Sequence, residues 1–141
     1  MYYPDLSLYT YIRNDEPYPT LNIGWLDGSH IYPNGQVSET FLDRLWIYCQ
    51  SLIYLSLGYH ECDFCHEDLG VSVWNNGKQL VLGSAEIRVI GKRGIAYAAP
   101  NMIYHYIVDH QYLPPSEFIQ AVLESPLPKE SAEYQNRYGE L

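Results

Sequence analysis

The string His60-Glu61-Cys62-Asp63-Phe64-Cys65-His66 constrains this chain more than any other stretch of it. Two thiols and two imidazoles fall within seven residues. Cys-x-x-Cys is the usual spacing at which one turn brings two thiolates to a single tetrahedral ion. If a strand runs through Cys62, His60 and Cys62 project from the same face, because side chains alternate along a strand. A tight turn through Asp63 and Phe64 then folds Cys65 back beside Cys62. The pattern predicts a metal site on His60, Cys62 and Cys65, with a fourth ligand drawn from a distant part of the chain. In our reading that ligand is His105, whose helix follows the sheet and can lie against it. His110 is five residues on, about 140° around an ideal helix, so the two histidines are not expected to reach one ion. His66 directly follows Cys65, and the backbone carries adjacent side chains apart. Two thiolates with imidazoles favour zinc.

Other chemistries compete for the same residues. A thioredoxin-like redox pair needs a lowered thiol pKa and a helix N-terminus, whereas Glu61, Asp63, Glu67 and Asp68 surround these thiols with negative charge. Buried cysteines also occur simply as small hydrophobes, and Cys49, on an apolar helix face, reads that way. A catalytic metal would need an open coordination position and a general base, with Glu61 or Glu67 nearest in sequence. Zinc deaminases place a histidine and a glutamate ahead of Pro-Cys-x-x-Cys. Here the order His-Glu-Cys is compressed and no proline precedes Cys62, so no catalytic residue is assigned.

Composition narrows the setting. A length of 141 residues suggests one domain, and 47 % apolar residues suffice for a core. Acidic residues outnumber Lys and Arg by 17 to 8, a formal charge of −9. That balance disfavours direct nucleic-acid binding, which needs a basic patch to displace counterions, and adhesion to anionic lipid. The 15 tyrosines call for an amphipathic core edge or contact surface. The N-terminus lacks the basic and apolar regions of a secretory leader. The longest apolar stretch, around Leu52 to Leu57, is interrupted by Ser56 and too short to span a bilayer. A cytoplasmic protein is expected, with no membrane partner. Three cysteines cannot all pair within one chain, which argues for metal or thiol chemistry over a disulfide framework.

Along the chain, residues 1–22 read as an extended arm that packs its tyrosines onto the body. Gly24-Trp25-Leu26-Asp27-Gly28 reads as a short strand running into a turn. Ser38 is a good N-cap for an amphipathic helix built on Phe41, Leu42, Leu45, Trp46 and Cys49. Ile53 to Tyr59 favours a strand. Val71-Ser72-Val73-Trp74 and Gln79-Leu80-Val81-Leu82 flank Asn75-Asn76-Gly77-Lys78, the clearest hairpin signal in the chain. Ala85 to Ile90 alternates as a strand, Gly91 and Gly94 flank a turn, and Ile95 to Ala98 follows as another strand. Pro100 suits the first turn of a second helix, with Met102, Ile103, Tyr106 and Ile107 inward. Pro114-Pro115-Ser116-Glu117 opens a third, with Phe118, Ile119, Val122 and Leu123 inward. The expected fold is α+β: an antiparallel meander of three to five strands packed with about three helices and stapled by zinc. A single domain over 1–124 and a polar, flexible tail over 125–141 are expected.

Asp27 and His30 form a possible dyad, though a turn-capping aspartate and a surface histidine explain them more simply. Gly91-x-x-Gly94 reads as a hairpin turn rather than a phosphate cradle. Taken together, Gly24-Trp25-Leu26-Asp27 with His30, then His60-x-Cys62-x-x-Cys65, Gly83 to Val89, Tyr97-Ala98-Ala99-Pro100 and Ile103-Tyr104-His105-Tyr106 resemble a family of small uncharacterised bacterial proteins. The resemblance covers about residues 1–124. It implies a bacterial origin and a free-standing domain, and carries over a His-x-Cys-x-x-Cys and Tyr-His-Tyr pattern onto His60, Cys62, Cys65 and His105. It implies no activity. The sequence departs after His30, where Ile31-Tyr32 stands in place of an expected Pro-Phe.

Two functional readings follow. In the first, zinc staples the fold of a non-enzymatic module whose acidic, Tyr-rich surface binds another protein, as an inhibitor or immunity factor does, with the negative charge steering association. In the second, the protein is a zinc-dependent hydrolase or deaminase acting on a small molecule. The number of protein ligands separates them: four close the site, three leave room for water.

Overall fold

A computed structural model of the chain describes residues 2–10, 19–51, 53, 62–65, 71–75, 77–83 and 85–139. Their elements run β1 (Thr20–Asn22), α1 (Glu39–Cys49), β2 (Val71–Asn75), β3 (Lys78–Leu82), β4 (Glu86–Ile90), β5 (Ala96–Pro100), α2 (Ile103–His110), α3 (Ser116–Glu124) and α4 (Ala132–Tyr138). The class is α+β, as the sequence predicts. The strand expected over Ile53 to Tyr59 lies largely outside the described residues, where Ile53 alone bridges Glu86.

Helix α1 begins where the sequence places it. The Ser38 hydroxyl accepts from Phe41 N at 3.1 Å, satisfying one of the amide donors that a helix start leaves over. The helix buries Phe41, Leu45, Trp46, Tyr48 and Cys49. Helix α3 lies against it. The Arg44 guanidinium donates to the carbonyls of Val122 and Ser125, so α1 supplies the donors that the C-terminal end of α3 lacks.

The sheet is not one continuous meander. Strands β4 and β5 pair antiparallel through a tight turn at Lys92–Gly94, as Gly91 and Gly94 suggest. Strands β2 and β3 form a separate hairpin closed at Asn75 and Lys78. The break falls at Gly83, which takes φ +98°, a backbone open to glycine at little cost. Its N–H donates to the buried Asn101 side chain at 2.8 Å.

Strand β1 is the unexpected element. It pairs parallel with β5, within a segment that reads from sequence as part of the arm. The arm itself runs antiparallel along the other edge of β1, with Leu6 N donating to Asn22 O at 2.7 Å and Tyr9 N to Thr20 O at 2.8 Å. Gly24-Trp25-Leu26 makes a single bridge, Trp25 to Tyr3, rather than a strand. Three residues of β1 carry too little alternation to be seen, and their pairing is supplied by the arm on one edge and by the distant β5 on the other.

Both faces of β4 are covered. Ile87 and Val89 point into the main core with Phe41, Leu45, Phe118 and Val122. Glu86 and Arg88 point the other way, beneath the arm. Arg88 donates to Glu86 Oε1 at 2.8 Å and lies over the Tyr9 ring at 4.5 Å, while Tyr9 OH donates to the same carboxylate at 2.9 Å. Breaking the hydrogen bonds of a buried charge pair is costly, and Tyr9 of the arm contributes one of them.

Two expectations need correcting. Pro100 ends β5 opposite Glu86 rather than opening α2; as the last residue of a strand, its missing N–H interrupts no ladder. The 125–141 segment does not hang loose over its described part. It makes a turn at Pro128–Glu130 and then α4, capped by the Ser131 hydroxyl. Tyr134 is buried in the main core, and Arg137 donates to Gly94 O at 3.2 Å. A seven-residue polar helix with only Tyr134 and Tyr138 against the core has too weak a periodicity to be read in sequence. Tyr134→Ala should therefore destabilise the fold by about 3 kcal/mol, the usual cost of truncating a buried aromatic. Urea unfolding checks this, and an unchanged midpoint would mean that the segment adds nothing.

Candidate metal centre

The Cys62-Asp63-Phe64-Cys65 turn is held from three directions. Within it, Phe64 N donates to Cys62 Sγ at 3.4 Å, and the Cys65 amide also bonds that sulfur. Below it, Asp63 Oδ2 accepts from Gly28 N at 3.0 Å, so the Asp27-Gly28 turn buttresses the two cysteines. Beside it, the Phe64 ring wedges among Tyr32, Tyr106 and His110, with centroids 5.2, 5.8 and 5.5 Å away.

Helix α2 supplies the opposing groups. His105 is 4 % exposed, and its Nδ1 lies 2.8 Å from Asp109 Oδ2, one helical turn on. A carboxylate on the far nitrogen keeps the proton there and aims the Nε2 lone pair inward, the arrangement that orients metal-binding histidines. His110 is the last helical residue, before Gln111 in the left-handed conformation at φ 55°. Its carbonyl accepts from Tyr32 OH at 2.8 Å.

These four side chains converge. Cys65 Sγ lies 3.4 Å from His105 Nε2, Cys62 Sγ lies 3.5 Å from His110 Nε2, and the two Nε2 atoms are 3.3 Å apart. All four donor atoms lie within 4.8 Å of one another. An ion at about 2.3 Å from sulfur and about 2.05 Å from nitrogen, with tetrahedral angles, gives edges of about 3.4 Å for N to N and about 3.6 Å for S to N. The contacts match those edges. Taken singly each contact is also a hydrogen-bond distance, with the roles of the ring nitrogens set by tautomer; taken together they trace the edges of one tetrahedron, and the donor set fits a single cation.

Burial pushes the Cys62 thiol up to about 11, against the lowering effect of the Phe64 and Cys65 amides. Burial likewise raises Tyr106, helped by the nearby Cys62 and Asp63 charges. Cys49 lies outside the cluster, fully buried, with its thiol raised by burial alone; it is the core residue that the sequence suggests.

Of the residues expected to ligate, Cys62, Cys65 and His105 belong to the cluster. His60 and His66 lie outside the described residues. His110 corrects the helix-angle argument. Five residues do put it well around the helix, yet the imidazole from the first turn of α2 and the one from its last residue reach toward each other, with ring centroids 4.9 Å apart. The tie from Tyr32 to the His110 carbonyl is a tertiary contact, and no local pattern announces it. The Asp27–His30 pair proves to be a turn device. Asp27 Oδ1 accepts from Ser29 N at 3.1 Å and contacts His30 Nδ1 at 2.7 Å. The hydrogen bond from His30 holds the Asp27 carboxyl below its usual range.

Residues 1–123 match the family described as Domain of unknown function (DUF7919). The chain belongs to that family. No curated protein and no solved structure matches it. Among the described residues, no helix is long and apolar enough to cross a membrane.

His110→Ala should weaken divalent-metal binding as much as His105→Ala, by tenfold or more at each site, since both fill one shell. Cobalt titration followed by the thiolate charge-transfer band measures both, and an unaffected His110 variant would remove it from the shell. Binding must also displace the Cys62 proton. Below the raised thiol pKa, affinity should then rise roughly tenfold per pH unit for each proton released. A pH-independent affinity would contradict thiolate ligation.

Proposed function

We propose that Cys62, Cys65, His105 and His110 hold a structural zinc ion in a small, non-enzymatic bacterial protein of the cytoplasm that acts by binding another protein. The observation that carries this reading is the four-fold convergence of side-chain donors at tetrahedral spacing. Two thiolates and two imidazoles suit zinc, and a reducing compartment keeps the thiols available. Four protein ligands fill a tetrahedral shell and leave no position for a reacting water.

The neighbouring carboxylates support the same reading. Asp63 is engaged by the Gly28 amide and Asp109 faces His105 Nδ1, so both position ligands rather than standing ready as a base. A hydrolase or deaminase would need an open ligand position and a free base; Glu61 and Glu67, the bases nearest in sequence, lie outside the described residues. The formal charge of −9 favours a basic protein partner, in the manner of an inhibitor or immunity factor. An ion here would staple the 62–65 turn to α2, some forty residues further along the chain, and would add its binding free energy to folding.

Protein purified without a metal-affinity tag should carry one zinc per chain by elemental analysis. Cys62→Ser, or prolonged chelation, should lower Tm by about 10 °C or more, because several kcal/mol of folding free energy go with the ion. Metal-free protein with an unshifted Tm in Cys62→Ser would overturn the reading.

A further inference from the structure

The cluster also holds a neighbouring loop in place. In the segment from Asp27 to Asn34, Ile31 is 98 % exposed, while the residues on either side of it are pinned. His30 stacks on Tyr2 with centroids 3.7 Å apart and planes 6° from parallel, and its Nδ1 contacts Asp27. Tyr32 donates to the carbonyl of His110 and packs on Phe64 of the cysteine turn. Beyond it, Leu113 N donates to Pro33 O at 2.9 Å and Gly35 N to Gln111 O at 3.0 Å. A singly exposed aliphatic residue is ordinary on a protein surface. One displayed between two anchored aromatic rings, on a backbone tied down at both ends, is not. Ordering the loop on binding would cost little, and a β-branched side chain adds few rotamers to lose.

Charge says what would cover it. The segments that build this end of the molecule, residues 2–10, 19–38, 62–65 and 101–115, contain Asp5, Asp27, Asp63 and Asp109 and not one Lys or Arg. Asp63 and Asp109 are exposed. We propose that the Asp27–Asn34 loop is a preformed protein-docking loop: Ile31 enters an apolar pocket on a partner whose pocket rim carries Lys or Arg facing the aspartates. The proposal rests on the protein-binding reading above and gives the metal cluster its purpose, which is to hold Tyr32 and the Asp27-Gly28 turn rigid.

The test is a phage-displayed 12-residue peptide library panned against the full chain in its metal-loaded form. Enriched peptides should combine Lys or Arg with a large apolar residue. Their affinity should fall at least tenfold on Ile31→Asp, a substitution that leaves metal content and Tm unchanged because the side chain touches solvent. Their binding to the unsubstituted, metal-loaded chain should weaken steeply as salt is raised, and a salt-independent affinity would remove the charged rim from the proposal. Chelation should reduce binding while circular dichroism shows the sheet retained. No enrichment, or peptides that bind Ile31→Asp as tightly as wild type, would overturn the proposal even with zinc present. Conversely, Ile31-dependent binding by a protein without metal would sink the zinc reading and leave the docking loop standing.

Discussion

Two imidazole nitrogens 3.3 Å apart, each also touching a thiol sulfur, form the contact on which this end of the protein is built. The ligand atoms of all four side chains lie within 4.8 Å of one another. The cluster makes physical sense around a cation, and its edges have the lengths a tetrahedral ion would give. From it the local structure follows outward. The cysteine turn presents Asp63 to the Gly28 amide and Phe64 to Tyr32, and Tyr32 reaches back to the His110 carbonyl. Sulfur, carboxylate, aromatic ring and helix end therefore form one closed circuit.

The rest of the chain is organised by a different principle. One face of β4 and β5 carries an apolar core against α1 and α3. The other face carries Glu86 and Arg88, to which the N-terminal arm brings the Tyr9 ring and hydroxyl. Arginine and carboxylate in an apolar layer are costly to bury. They favour a single placement of the arm, because any slip along β1 would leave the charges without the tyrosine hydroxyl. The apolar core supplies bulk stability, while the charged layer selects the register of the outer strands.

How legible the structure is from sequence follows the range of the interactions involved. Helices α1 and α3 are readable, because Ser38 caps one, prolines open the other, and both keep a helical apolar period. The β2–β3 and β4–β5 turns are readable from glycine and asparagine chemistry. Strand β1 and helix α4 are not, since one has three residues and the other only two large residues against the core. At the site, the Cys-x-x-Cys spacing is a local signal, while the choice among histidines is not. A helix angle computed from residue number treats side chains as spokes and ignores how far an imidazole can lean at a helix end.

By itself, the sequence determined the α+β class, the position of the capped helices and tight turns, and the thiol pair as the centre of interest. These depend on backbone preferences within a few residues, which travel with the amino acids. The tertiary structure decided that His110 joins His105, that the arm runs antiparallel along β1, and that a polar C-terminal segment folds back onto the core. Each of those outcomes depends on groups far apart along the chain finding a shared partner: a lone pair, an edge of unpaired amides, a gap in the apolar layer. Such vacancies exist only once the chain has folded, so no window of residues can announce them.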